Sequence, residues 1–377
     1  MDALFDKVEM TSFTRTGEHS TRLHYNTVDE AAIKAHFIKK KATIQGGCTA
    51  VWNNGIIGRN YDWFYNNDLN HEIHVDNDGK GYRYSGVASM TELDWGILPG
   101  FTQDGFNEHG LYCNINVVPD DYGTTTGTTP LVEEREKVCL IMVPFYVLRH
   151  FTTPDEAVDY IRNYVSLYAP KGLSDMHYEA HFMIANAEKC YILEVVHNEI
   201  QVTEHPIITN FFIYGTRFNE DGTVYTMEDG QSPVELNGIT PFGSGLERYN
   251  YVVENYAASG SKAGMMALME GLKYTNAYRP EVTPRWYSEF VGHYQQDVTL
   301  DTPIDDPYYQ HVLGVAEAAY EAHDRDASNF WQSSHTSVYD LDREMMWIVF
   351  EEDFTRQMPA CLEEYYTAGE IKELLDN

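Results

Sequence analysis

Cys48 follows Gly46-Gly47 and opens Cys48–Trp52, a run of residues suited to a strand. Glycine admits backbone conformations and close approaches that other residues forbid, so the bond before Cys48 is open to attack. Asn53-Asn54-Gly55 is a tight-turn signal, and Ile56 onward suits the returning strand. That strand carries Gly58-Arg59-Asn60-Tyr61-Asp62, which brings Arg59 and Asp62 across to Cys48. The chemistry implied is that of a thiol. A thiolate is the reactive form of cysteine, and a guanidinium beside it lowers a pKa of about 8.5. A carboxylate at Asp62 would orient a free α-amino group, which titrates near about 7.7–8.0 and can take the proton of its own residue's side chain. Cys48 has a free amine only as a first residue, so this chemistry requires residues 1–47 to be removed, with cleavage between Gly47 and Cys48.

Several elements must position this hairpin. A second hairpin is expected at Asp76-Asn77-Asp78-Gly79, between Glu72–Val75 and Tyr82–Tyr84. A calcium loop there is excluded because Val87 stands where the closing Glu is needed. Helical periodicity runs over Val138–His150 and again after Thr153-Pro154-Asp155-Glu156, which supplies an N-cap, a proline in the first turn and early acids. His181–Asn186, Tyr191–Val196 and Ile200–Val202 read as a meander leading to more sheet at Ile207-Ile208-Thr209-Asn210. Helices are expected at Leu246–Tyr256 and Lys262–Leu272, and strands at Thr336–Leu341 and Met346–Phe350. Blocks of hairpins separated by paired helices predict an α+β sandwich of antiparallel sheets with segregated helices.

The block from Cys48 to Asp62, with Cys48-Thr49-Ala50 and Gly58-Arg59-Asn60-Tyr61-Asp62, resembles the opening of the choloylglycine hydrolase family, which includes conjugated bile acid hydrolases and penicillin V acylases. It is also similar to the isopenicillin N acyltransferase group. Asp104-Gly105-Phe106-Asn107-Glu108-His109-Gly110-Leu111 and Asn114-Ile115-Asn116 follow in family order, and the resemblance extends to about Phe350. It implies an N-terminal-nucleophile hydrolase with a four-layer αββα fold and two antiparallel sheets. It further implies Cys48 as nucleophile with Arg59 and Asp62 as immediate partners. Thr209-Asn210 resembles the family's Thr-Asn, whose asparagine helps to form the oxyanion hole, and Arg248 resembles the arginine that supports the site. Asn114 or Asn116 would contact substrate. The aromatic run Tyr61, Trp63, Phe64 and Tyr65 would line an apolar acyl pocket or belong to the core.

The expected organisation is a prosegment at 1–47, a catalytic domain at 48–354 and a helical extension at 355–377. Residues 1–47 hold six acids and seven bases and end in Lys39-Lys40-Lys41 and Gly46-Gly47, in contrast to a whole-chain charge of −32. Such acidity repels phosphate backbones and anionic lipid, which argues against nucleic-acid and membrane partners. The apolar run Val138–Leu148 is broken by Pro144 and falls short of a bilayer span. No apolar export signal precedes Cys48, and the five cysteines lack any Cys-x-x-Cys pair, so a reducing cytoplasm is expected. No cofactor and no metal is expected, and no Walker-type loop is present. The predicted activity is hydrolysis of a linear, non-peptide amide of a small acyl amide through a thioester. Acyl transfer, or a silent binding module of the same fold, is the alternative, and homo-oligomerisation stays open. Bile acid conjugates, phenoxyacetyl or fatty acyl amides and N-acyl amino acids are all compatible substrates.

Overall fold

The computed structural model describes residues 10–17, 20–25, 47–64, 68–76, 81–90, 102–118, 128–168, 179–225, 245–273, 331–350 and 352–362. The chain begins with strands β1 (Met10–Gly17), β2 (Ser20–Tyr25), β3 (Gly47–Asn53), β4 (Ile56–Phe64), β5 (Asp68–Asp76), β6 (Tyr84–Met90), β7 (Thr102–Asn107) and β8 (Tyr112–Val118). Strand β9 (Glu136–Cys139) then runs through a 3-10 turn (Leu140–Met142) into α1 (Val143–His150), α2 (Pro154–Tyr164) and β10 (Val165–Tyr168). The meander β11 (Glu179–Ala185), β12 (Cys190–Val196) and β13 (Glu199–Glu204) leads to the two-residue β14 (Ile207–Ile208). Helices α3 (Leu246–Asn255) and α4 (Lys262–Gly271) precede β15 (Trp331–Asp340), β16 (Met345–Phe350) and β17 (Met358–Cys361).

Among the described residues two large sheets, one ordered β1-β2-β5-β6-β7-β8-β11-β12-β13 and the other β14-β3-β4-β15-β16-β17, stand beside the two-stranded pair β10-β9. Alternation along β11 shows why they stack. Phe182 and Ile184 join Phe145, Leu148, Val158 and Ile161 of α1 and α2 in one core. Met183 and Ala185, pointing the other way, join Val51, Ile57 and Val338 of the second sheet. The same core continues through that sheet to Val252 of α3 and Met265 and Met269 of α4. The order of layers is helices, sheet, sheet, helices, an α+β sandwich as expected. Helix α4 lies close on β4, because a Cβ at Gly58 would meet Met265 Cγ at 2.6 Å. Among the described residues, no helix is long and apolar enough to cross a membrane.

The expected hairpin forms with Gly47 opposite Asp62 and Asn53 opposite Ile56. Its turn has positive φ at Asn54 (51°) and Gly55 (80°), the pairing that a twisted two-residue hairpin demands. The second hairpin also forms, between β5 and β6, with residues 77–80 outside the described part. Thr153 caps α2 by accepting from Glu156 N at 3.2 Å, an interaction worth about 1 kcal/mol.

Four differences from the sequence reading are found. Val138 and Cys139 are strand, not helix, because β9 pairs in parallel with β10. The helix begins at Val143, where Pro144 fits a first turn that needs no N–H from it. Strand β14 ends at Ile208, so Thr209 and Asn210 stand in a loop. In the stretch expected to be helical from 355, Met358–Cys361 instead pairs with β16, and residues 363–377 lie outside the described part. Finally, the sheets are not wholly antiparallel. β2 runs parallel to β5 from Ser20 opposite His71 to Tyr25 opposite Asp76, so residues of the expected prosegment build the edge of the nine-stranded sheet.

Candidate active site

Strands β3 and β4 carry Cys48, Arg59 and Asp62, all three buried. Cys48 and Arg59 share the face toward Asp104 and Ile115 of the other sheet, whereas Asp62 lies on the alternate face with Asn60, toward the helices. Arg59 Nη2 approaches Cys48 Sγ at 3.6 Å and donates to Ile115 O at 2.5 Å. Its Nη1 is paired with Asp104 Oδ1 at 2.7 Å. Asp62 sits opposite Gly47 in register, on the acyl side of the Gly47–Cys48 bond. Ser333 Oγ donates to Asp62 Oδ1 at 2.6 Å, and Arg248 Nη1 lies 3.8 Å from Asp62 Oδ2.

The loop after β14 and the start of α3 supply the other side. Cys48 N–H donates to Asn210 Oδ1 at 2.9 Å, and Asn210 Nδ2 donates to Val117 O at 2.6 Å. Arg248 Nη2 donates to the same Asn210 Oδ1, while Nη1 donates to Cys48 O at 2.5 Å and Thr49 Oγ1 at 2.6 Å. This approach depends on Gly245, the N-cap of α3 with φ of 100°. A Cβ there would meet Thr209 Cβ at 2.7 Å and Arg248 Nη2 at 2.8 Å. Cys48, Arg59, Asp62, Asn210 and Arg248 therefore form one connected cluster.

Asn114 and Asn116, between which the sequence offered no choice, have separate partners. Asn114 accepts from Met183 N at 3.0 Å and donates to Asn116 Oδ1 at 3.0 Å, whereas Asn116 Nδ2 donates to Thr209 O at 3.0 Å. Asn116 thus touches the loop that holds Asn210. Tyr61 is buried, stacked on His335 with centroids 5.1 Å apart. Trp63 and Phe64 continue β4, and Tyr65 lies outside the described residues.

Sequence reasoning quoted Asp104 within a family-like block but gave it no role. In the structure it is the buried anchor of Arg59, and it also accepts from His335 Nε2 at 2.8 Å, Ser337 Oγ and Tyr339 Oη at 2.5 Å. The available signal was His335-x-Ser337-x-Tyr339, three donors at alternate positions of one strand and so on one face. Removing the charge of one partner in such a buried pair leaves the other uncompensated, at about 3–5 kcal/mol. Asp104→Asn in an uncleavable Cys48→Ala chain should lower unfolding stability by about that amount in urea. A loss below about 1 kcal/mol would mean that Ile115 O alone satisfies Arg59.

Burial pushes the Cys48 thiol above its ordinary value, and Arg59 and Arg248 offset this only partly while Asp62 adds to it. In the uncleaved chain the lowering expected from Arg59 is thus outweighed, and Cys48 rests as a neutral thiol. Burial opposes the charge of Arg59, yet Asp104 and Cys48 hold its pKa above the usual guanidinium value. Burial also opposes ionisation of Asp104, but His335 and Arg59 hold that carboxyl well below the usual range. For Asp62 burial prevails over Arg248 and the Ser333 hydrogen bond, and its pKa rises to about 7.

The raised Asp62 value has a measurable consequence. The folded chain binds this proton more tightly than the unfolded chain, whose Asp titrates near about 3.9. Its contribution is complete below that value and is lost as pH rises to about 7. The difference between the two values corresponds to at most about 4 kcal/mol. In a Cys48→Ala background, urea midpoints should therefore fall less between about pH 4 and pH 7 when Asp62→Asn is added. Identical pH slopes with and without Asp62→Asn would show that Asp62 is ionised in the folded chain.

Among the described residues no group of three or more His, Cys, Asp or Glu side chains is arranged to hold a metal ion. The family model described as acyl-coenzyme A:6-aminopenicillanic acid acyl-transferase matches residues 51–268, a span that includes Arg59, Asp62, Asn210 and Arg248. No curated protein matches the chain. Similar solved structures include a variant of conjugated bile acid hydrolase from Clostridium perfringens, at 14% identity and TM-score 0.42, covering 85% of this chain and 93% of that one. Penicillin V acylase from Agrobacterium tumefaciens is similar at 15% identity and TM-score 0.36, covering 81% and 83%. The N-acylethanolamine-hydrolyzing acid amidase ortholog of Caenorhabditis elegans is similar at 13% identity and TM-score 0.27, covering 78% and 92%.

Proposed function

The chain belongs to the acyl-coenzyme A:6-aminopenicillanic acid acyl-transferase family, and on that premise we propose that it is a cysteine N-terminal-nucleophile enzyme that hydrolyses a small linear acyl amide through a thioester, once residues 1–47 are cleaved from Cys48. The observation that carries this reading is the convergence on Cys48. Its nitrogen bonds Asn210 Oδ1, its carbonyl bonds Arg248, and its sulfur faces Arg59 at 3.6 Å.

In maturation the Cys48 thiol attacks the Gly47 carbonyl carbon. The C–N bond breaks, the thiol proton passes to the leaving nitrogen, and Gly47 is held as a thioester on Sγ. Water then cleaves that thioester, restoring the thiol and leaving a Gly47 carboxylate and a Cys48 amine. The positive charge of Arg248 beside this amine favours its neutral, proton-accepting form, and Asp62, opposite Gly47, is positioned to orient it. In turnover the amine takes the thiol proton and the thiolate attacks the substrate carbonyl. The oxyanion is held by Asn210 Nδ2 and backbone donors. The leaving amine takes the proton back, and water releases the acid. Losing one oxyanion donor costs about 10²–10³-fold in turnover.

The test joins N-terminal sequencing to a screen of acyl p-nitroanilides, phenoxymethylpenicillin and N-acyl amino acids with hydroxylamine present. Acyl hydroxamate from a chain that begins at Cys48 is the expected result, and amide cleavage without a trappable acyl group would refute the thioester. The family name favours a second reading, in which an amine replaces water as acceptor. An N-acylated product formed with a competing amine would select it.

A further inference from the structure

Asn116, His181 and Glu194 face one another across three adjacent strands, since His181 of β11 lies opposite both Asn116 of β8 and Glu194 of β12. Cross-strand partners share a face of the sheet, and here the whole row is buried and polar. A buried polar row persists only when its members are satisfied. Every member of the row bonds one segment, residues 209–214. Asn116 Nδ2 and His181 Nε2 both reach Thr209 O, at 3.0 and 2.9 Å. Glu194 accepts from His181 Nδ1 at 2.9 Å, from Ile213 N at 2.8 Å and from Tyr214 N at 2.7 Å. A carbonyl only accepts, so His181 Nε2 donates to Thr209.

Within 209–214 the backbone joins no strand or helix, so these side-chain bonds replace the ladder that would otherwise hold it. The clamp grips the segment on both sides of Asn210, whose Oδ1 holds Cys48 N.

We propose that His181 and Glu194 are positioning residues for the Asn210 loop: they fix the carboxamide against Cys48 without touching substrate. The catalytic half of this statement rests on the function proposed above, whereas the clamp itself does not. Glu194→Ala and His181→Phe remove the clamp, while Glu194→Gln keeps an acceptor for Tyr214 N and a donor for a neutral His181.

The first experiment is deuterium uptake in uncleavable Cys48→Ala chains. A peptide spanning 209–214 should exchange at least tenfold faster in Glu194→Ala, with peptides of β8 and β12 unchanged and Glu194→Gln intermediate. Uptake that is unchanged at 209–214, or that rises equally in all peptides, overturns the clamp. The second is kinetics on phenylacetyl and decanoyl p-nitroanilides with otherwise native protein. His181→Phe should lower kcat by about 30- to 100-fold, up to the lower end of the roughly 10²–10³-fold range for a lost oxyanion donor, with KM changed less than threefold. Loss only in proportion to unfolded protein overturns the positioning role. If the native chain cleaves neither anilide, refolding kinetics of Gly47–Cys48 cleavage take their place, and cleavage at the native rate in His181→Phe counts against the proposal. A wild-type chain that neither cleaves itself nor any probe, yet shows the local uptake difference, refutes the enzymatic reading and leaves the clamp standing. Should His181→Phe fail to fold, Glu194→Gln supplies both readouts.

Discussion

Cys48→Ala will remain joined at Gly47–Cys48 and will turn over no acyl amide, and Cys48→Ser will be strongly impaired or inactive in both respects. In covalent hydrolases, removal of the nucleophile costs on the order of 10⁶-fold in kcat, which places the alanine variant at background. The remaining thiols offer no substitute, because Cys113, Cys139 and Cys190 are buried elsewhere in the fold and Cys361 lies on β17. Serine keeps the shape but is a far weaker acid than a thiol, and the Cys48 thiol is itself already pushed up by burial. The alanine chain should still fold, since Arg59 keeps Asp104 and Ile115 O as partners. Intact mass and a substrate screen read both outcomes. Near-normal hydrolysis by Cys48→Ala of any compound that the native chain cleaves would end the assignment of the nucleophile.

Full-length protein should be nearly inactive, with activity rising in step with the appearance of Cys48 as a first residue. In the uncleaved chain Cys48 N is an amide that donates to Asn210 Oδ1 at 2.9 Å, and an amide nitrogen accepts no proton at neutral pH. Burial holds the thiol neutral, and on the proposed mechanism its base is absent until the cut. By the same mechanism, cleavage would turn this amide into an amine beside Asn210 Oδ1. Residues 1–47, once cut, should not leave. Their strand β2 is hydrogen-bonded along β5, so the 1–47 fragment should co-elute with residues 48–377 in native buffer and separate only in denaturant. Following N-terminal sequence and acyl-amide hydrolysis together over time tests the coupling. Full activity in demonstrably uncleaved chains would overturn the N-terminal-nucleophile reading. Cleavage that persists in Cys48→Ala would overturn only self-processing and assign the cut to another protease.

Much of the site lay open in the sequence because its core is local. One tight turn at Asn54-Gly55 sets the register that places Asp62 opposite Gly47 and Arg59 near Cys48, and turn chemistry is written in a few adjacent residues. Helix α2 was legible for the same reason, through Thr153 and Pro154. Family likeness supplied Asn210 and Arg248, which periodicity alone does not mark. Less local features escaped. The propensity of Val138-Cys139 for helix yielded to a distant partner strand, and the place of β1 and β2 at the sheet edge depends on β5.

The charge balance was also beyond a local reading. A guanidinium beside a thiol predicts a lowered pKa, but whether it prevails depends on how much water the rest of the fold excludes, and here burial outweighs Arg59. Likewise, Asp104 became the anchor of Arg59, and Glu194 and His181 the clamp of the Asn210 loop, only through pairings between strands far apart in the chain. The sequence by itself thus marked Cys48 as the candidate thiol and determined which neighbours share its hairpin. The tertiary structure decided which buried charges hold those neighbours, because desolvation and cross-strand register are properties of the assembled sheets and not of any segment.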